Sequence, residues 1–195
     1  MTRFLLVAGV AAISLAIAGC SQDGEGGNAA GNAAASGESG QAAEGGDTTI
    51  AKSLDQNSRF FQAAKAAGLD ATLNGSEPYT VLVPDDAAFA KLPAGTTENL
   101  MKPESRAQLT GLLTYHILPG VVLAEDIGKA IDNAKGKAVL ATMGGGTVTA
   151  AREDGKIVLT DSAGTKATVT AADQKHSNGV VHRIDTVLMP EDGQA

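Results

Sequence analysis

The chain has 195 residues, 43% of them hydrophobic, but no tryptophan and 3% aromatic residues, so its core must come from Val, Leu, Ile and Ala. Its 22 acidic residues outnumber 15 basic ones for a net charge of -7, and with no basic cluster this argues against nucleic acid and against electrostatic adhesion to anionic lipid. A single cysteine excludes an internal disulfide, so the fold must stand on its core alone.

Residues 1–19 carry a positive charge at Arg3 and an unbroken small and apolar run from Phe4 to Ala18. The run is short for a bilayer-spanning helix and reads as the apolar core of an export signal. It ends in Ile17-Ala18-Gly19-Cys20, which resembles a bacterial lipobox. That resemblance implies cleavage before Cys20 and a diacylglycerol on its sulfur. Ser21 in the next position implies sorting to the outer membrane of a two-membrane bacterium. From Ser21 to Asp47 no aliphatic residue is larger than alanine and none is aromatic, so the stretch cannot bury enough surface to order itself. Residues 20–47 thus read as a lipidated cysteine and a disordered tether, with a mean span of roughly 30 Å and a stretched limit near 90 Å.

Residues 48–190 change character and have the size of a single domain, followed by a short tail at 191–195. Ile50, Leu54, Phe60, Phe61, Ala64 and Ala67 recur at helical spacing, and Gly68 supplies a helix stop. Tyr79 to Val83 reads as a buried strand ended by Pro84, after which Asp85 stands as the N-cap of a helix from Asp86 to Lys91. Pro103 and Glu104 open a longer helix with Leu109, Leu112, Leu113 and His116 on one face. Pro119-Gly120 is expected to turn the chain into a strand at Val121 to Leu123, with a helix through Ile127 and Ile131 after it.

The remaining third changes period from 3.6 to 2. Strands are expected at Ala138 to Thr142, Thr147 to Ala151, Lys156 to Thr160, Lys166 to Ala171 and Gly179 to Leu188, separated by Gly-rich hairpin turns. Helices ahead of strands predict an α+β domain with a β-rich C-terminal part.

Three motifs carry a family resemblance. The first runs from Tyr79 through Thr80, Pro84 and Asp85 to Phe89, ahead of Leu92-Pro93; the second is Leu112 to Leu118 around Tyr115-His116; the third is Asn178-Gly179-Val180-Val181-His182 with Asp185 and Pro190. In this order and spacing the domain resembles a fasciclin domain. Leu82-Val83 replaces the more usual Phe-Ala of the first motif, and Asp85 stands where Ser or Thr is common. The resemblance implies a compact β-rich domain flanked by helices, an adhesion role outside the cytoplasm, and no catalytic centre common to the family. It also implies that the Tyr115-His116 pair supports the fold and sometimes takes part in adhesion. An Asp-Ile integrin-contact motif of animal members corresponds here to Asp173-Gln174, which keeps the acid and loses the isoleucine.

Strand alternation separates His182 from Asp185, with Val180, His182 and Ile184 on one side and Val181, Arg183 and Asp185 on the other. They are therefore not expected to form an acid/base pair, and His182 is expected to be a hydrogen-bonded core histidine. No histidine spacing suits zinc, Asp154, Asp161 and Asp173 form no calcium loop, and Asp85-Asp86 reads as capping rather than as a carboxylate dyad. Asn74-Gly75-Ser76 matches a glycosylation sequon and reads as a turn. No cofactor or metal is expected. The expected function is binding to a protein or polysaccharide ligand on cells, matrix or surface polymer, with the membrane held through the lipid. Asp173, Tyr115 and His116 are the candidate partner contacts. The alternatives are a periplasm-facing protein that binds a cell-wall component or another envelope protein, and a hydrolase using His182 or Asp85.

Overall fold

The computed structural model describes residues 46–190. The expected export signal, the expected lipidation at Cys20, the expected tether up to residue 45 and the tail at 191–195 lie outside the described residues.

Three short helices come first, α1 (Ile50–Ser53), α2 (Arg59–Ala67) and α3 (Asp70–Asn74). Strand β1 (Tyr79–Pro84) follows, then α4 (Asp86–Ala90), α5 (Thr96–Leu100), a 3-10 turn at Pro103–Ser105 and α6 (Arg106–Tyr115). The chain continues through β2 (Ile117–Pro119), α7 (Ala124–Asn133), β3 (Lys137–Ala141), β4 (Thr147–Glu153), β5 (Lys156–Thr160), β6 (Lys166–His176) and β7 (Gly179–Ile184). The strands form one seven-stranded sheet in the order β2-β1-β7-β6-β5-β4-β3. β1 and β7 are parallel, in register from Tyr79 opposite Gly179 to Pro84 opposite Ile184, and the remaining pairs are antiparallel.

The parallel pair is covered on both faces, which is why both strands read as near-continuous apolar runs. Alternation along β1 sends Val81 and Val83 into one cluster with Ile50, Phe60 and Leu113. It sends Leu82 into a second cluster with Tyr115, Ile127 and Leu159. Among the described residues no helix is long and apolar enough to cross a membrane.

The mixed α+β architecture, with helices early and strands late, is the one expected. The departures from expectation lie where local hydrogen bonds override propensity. The helical pattern from Ile50 to Ala67 is broken, because the Asp55 carboxylate accepts the Asn57 N–H at 2.9 Å and Ser58 restarts the helix by accepting the Phe61 N–H. Gly68 ends α2 at φ 80, as its position suggested. The helix expected from Pro103 begins as the 3-10 turn and becomes α-helical at Arg106. Helices α3 and α5 were not expected from the sequence, and Asn74, expected in a turn, is the last residue of α3.

The strand expected at Val121 to Leu123 does not form; the strand lies upstream at Ile117–Pro119. β6 runs five residues beyond Ala171, and β7 stops at Ile184 instead of Leu188. Its end is set by Asp185, whose N–H donates to the Thr168 carbonyl at 3.1 Å while its carboxylate accepts the Thr168 N–H at 2.8 Å.

Candidate functional site

The motif residues converge on the β1–β7 end of the sheet, and nearly all their polar atoms are spent on the backbone. Thr80, fully buried on β1, donates its hydroxyl to the Gly120 carbonyl at 2.8 Å and accepts the Val122 N–H at 2.8 Å. His182, fully buried on β7, donates from Nε2 to the Val122 carbonyl at 2.8 Å and accepts the Asp173 N–H at Nδ1, 3.2 Å away. Asp173 in turn accepts the N–H of Ala124, the first residue of α7, at 2.8 Å. Both backbone groups of Val122 are thus satisfied by side chains, which explains why this β-prone segment joins no ladder. A carboxylate at the first N–H of α7 also complements the helix dipole.

Asp173 reaches that position from an irregular stretch of β6. Register shifts fall between Val169 and Ala171 and between Ala171 and Gln174, and Asp173 sits at φ 57. An aspartate tolerates this left-handed conformation better than most residues. Its side chain is 38% exposed, and one oxygen is committed to α7.

His116 caps the end of α6 and is 1% exposed. Its Nδ1 donates to the Leu112 carbonyl at 2.8 Å, and its Nε2 accepts the Leu188 N–H at 3.1 Å. Burial lowers its pKa from 6.5 to about 4, against the smaller raising effects of the Leu112 carbonyl and Asp161. The ring is therefore neutral near pH 7 and serves as a staple between α6 and the segment after β7. Tyr115 is equally buried and donates its hydroxyl to the Thr147 carbonyl at 2.7 Å. Contact between either side chain and a partner would require this end of α6 to open.

Asn178 is 4% exposed and makes three hydrogen bonds. Its carbonyl accepts the Ile50 N–H at 2.8 Å, and its amide donates to the Leu73 carbonyl at 2.9 Å and the Gly75 carbonyl at 2.8 Å. One side chain thereby caps the start of α1 and the end of α3. Gly179 beside it has φ 145, and a Cβ there would overlap the Tyr79 carbonyl of the neighbouring strand. Glycine is needed at this position because the parallel strand approaches so closely.

The two aspartates after β1 cap different helices. Asp85 accepts the Ala88 N–H of α4 at 2.7 Å, and Asp86 accepts the Arg59 N–H that begins α2 at 3.0 Å. Phe89 is buried in the core cluster with Val81 and Val83. Asp185 is pushed up by burial, but the Thr168 N–H, the Thr186 hydroxyl and Lys91 outweigh this and hold it below the usual carboxylate value. It makes no bond to His182, which is hydrogen-bonded elsewhere. Pro190 is half-buried at the end of the described residues.

Sequence reasoning missed Asp161 as a structural group. It is 6% exposed and bonds the Thr165 N–H at 2.7 Å and the Met189 N–H at 2.9 Å, so both its oxygens are occupied. Asp161 stands just ahead of Ser162-Ala163-Gly164, which reads as hairpin punctuation, and nothing local marks its contact with Met189. His176, its pKa lowered by burial, faces Ser53 Oγ at 3.2 Å. Among the described residues no three His, Cys, Asp or Glu side chains come together as a metal-binding group.

A groove of about 600 Å³ lies between α6 and the turn after β3, lined by Arg106, Ala107, Gly111, Thr114, Met143 and Gly144. Of the motif segments it takes in only Thr114, whose hydroxyl donates to the Thr110 carbonyl at 2.9 Å.

Comparison with known proteins agrees with this geometry. The chain is 38% identical over 141 residues to Protein sll1483 of Synechocystis sp., covering 72% of this chain and 71% of that one. It is 36% identical over 119 residues to the cell surface glycolipoprotein MPB83 of Mycobacterium bovis, covering 61% of this chain and 46% of that one. Among solved structures, a FAS1 domain pair from the insect cell adhesion molecule Fasciclin I superposes with a TM-score of 0.64 at 21% identity, over 76% of this chain and 53% of that one. The sequence model of the fasciclin domain matches residues 55–190, and the chain belongs to the fasciclin domain family.

Proposed function

We propose that the domain is a non-enzymatic binding module of the cell envelope that mediates adhesion to cells, matrix or surface polymer. The observation that carries this reading is family membership alongside relatives named for the cell surface and for cell adhesion. Geometry supports it from the other side, since His182, Asp85 and Asp185 are each engaged in hydrogen bonds that hold the fold. In this reading Cys20 carries the lipid, the tether spans the headgroup region, and an outer-membrane anchor holds the domain.

Protease treatment of intact cells producing the chain, with lysed cells as control, tests the exposure this requires. Digestion on intact cells agrees with adhesion. Protection until lysis would favour a periplasm-facing protein that binds a cell-wall component or another envelope protein. Cys20→Ser should abolish labelling by a radioactive fatty acid and release the domain from membranes, and retained labelling would contradict the lipid anchor.

A further inference from the structure

The described sheet has three stretches of open edge, and they differ in how they are guarded against pairing with another chain. β2 is three residues long and ends in Pro119, and its Ile117 carbonyl accepts the Met143 N–H at 2.8 Å. Beyond Thr168, β6 has lost β5 as a neighbour, but its two register shifts and the charges of Asp173 and Lys175 make it a poor template. β3 carries neither proline nor bulge along Lys137 to Ala141, and its one charge, Lys137, stands at the start of the strand and leaves the centre uncharged. Among the described residues, those five make no backbone hydrogen bond outside the β4 ladder.

Side-chain alternation reinforces the contrast. Ala138 is buried and Leu140 half-buried, whereas Lys137, Val139 and Ala141 face out. Val139 is 68% exposed, and Met143, two residues past the strand, is 42% exposed; these are the exposed large apolar side chains among the described residues. Lys135 and Lys137 stand at the start of the strand, and neither lies within ion-pair distance of a described carboxylate. The open edge is therefore cationic at one end and apolar along the rest.

We propose that β3 accepts an extended peptide strand from a protein partner, with an acidic residue beside Lys137 and apolar residues at alternate positions beside Val139 and Ala141. Main-chain hydrogen bonds along the open edge would supply affinity, and the side chains alternating on the outer face would supply selectivity. A second copy of β3 is a worse fit, because Lys-Ala-Val-Leu-Ala brings no acid to Lys137. This inference rests on the reading of the domain as a binding module and names the chemistry of its partner.

The test is fluorescence anisotropy with the purified full chain and two labelled, end-capped peptides. One carries Asp with Val at the two following alternate positions and Thr between them, and the other has the reverse order, because strand direction decides which one fits. One of the two is expected to bind, with amide shifts centred on Lys137 to Ala141. Val139→Lys, at an exposed site the fold does not use, is expected to weaken binding by at least about tenfold. Lys137→Glu should lose the acidic peptide and gain one with Lys in place of Asp.

Failure of both peptides at millimolar concentration overturns the proposal, as does binding indifferent to both substitutions. Self-association abolished by Val139→Lys overturns it as well, by giving the edge to a second copy. A chain that adheres to cells yet binds neither peptide overturns the β3 site and leaves the adhesion reading standing.

Discussion

The two ends of the sheet are built on opposite terms. At the β1–β7 end, every motif polar group is buried or bonded to backbone, and Thr80, Asn178, His116 and His182 each tie together segments distant in sequence. Along β3 itself no motif residue occurs, and the outward side chains of this edge strand meet solvent. The contrast teaches that the motif residues of this chain are spent on holding the fold, and that a binding surface can lie where the sequence carries no motif. Substitutions that destroy the fold from the first end and leave it intact at the second would sharpen that division.

The largest effect is expected at Gly179. Alanine there must find room in the Tyr79 carbonyl at a φ of 145, so Gly179→Ala should cost at least about 4 kcal/mol in urea unfolding or prevent folding outright. Asn178→Ala comes next, because it strands the Ile50 N–H and the Leu73 and Gly75 carbonyls, with an expected loss of about 3 kcal/mol. A loss below about 1 kcal/mol would mean that water replaces the amide and that the three-segment tie is dispensable.

His116 adds a pH dependence. Its pKa is about 4 in the fold and near 6.5 unfolded, so the unfolded chain binds the proton more readily. The contribution of the neutral ring is fully present above pH 6.5 and is lost as pH falls through about 4. On the order of 3 kcal/mol should disappear across that window in urea titrations at successive pH values. His116→Gln, which does not titrate, should flatten this slope. Asp185 acts in the same sense at lower pH, because its carboxylate form is favoured in the fold.

His182→Ala should remove the partners of the Val122 carbonyl and the Asp173 N–H, at about 2 to 3 kcal/mol. It should also speed amide exchange at Ala124 and Asp173 more than at the centre of β4. Smallest of all, Val139→Lys should change stability by less than about 0.5 kcal/mol, since the side chain it replaces is 68% exposed.

Much of the first end was legible in the chain. The run Tyr79 to Val83, the capping oxygen of Asp85 and the alternation that parts His182 from Asp185 depend on neighbours in sequence, and the structure contains each of them. Val121 to Leu123 was misread because its propensity is local, whereas its hydrogen bonds come from Thr80 and His182, 42 and 60 residues away. Asp161 and the bulge at Asp173 were hidden for the same reason. The open edge of β3 could not be read at all: a strand's place at the rim of a sheet is a property of strand order, and an alternating segment looks alike at a rim and at a centre.

The most direct test of the account is the attachment of intact cells to partner cells, matrix protein and surface polysaccharide, with and without the protein and at matched growth. The account predicts that cells bearing the full chain attach to at least one of these surfaces more strongly than cells lacking it, and that Val139→Lys at equal surface amount loses the difference. Equal attachment with and without the protein on every surface would contradict it.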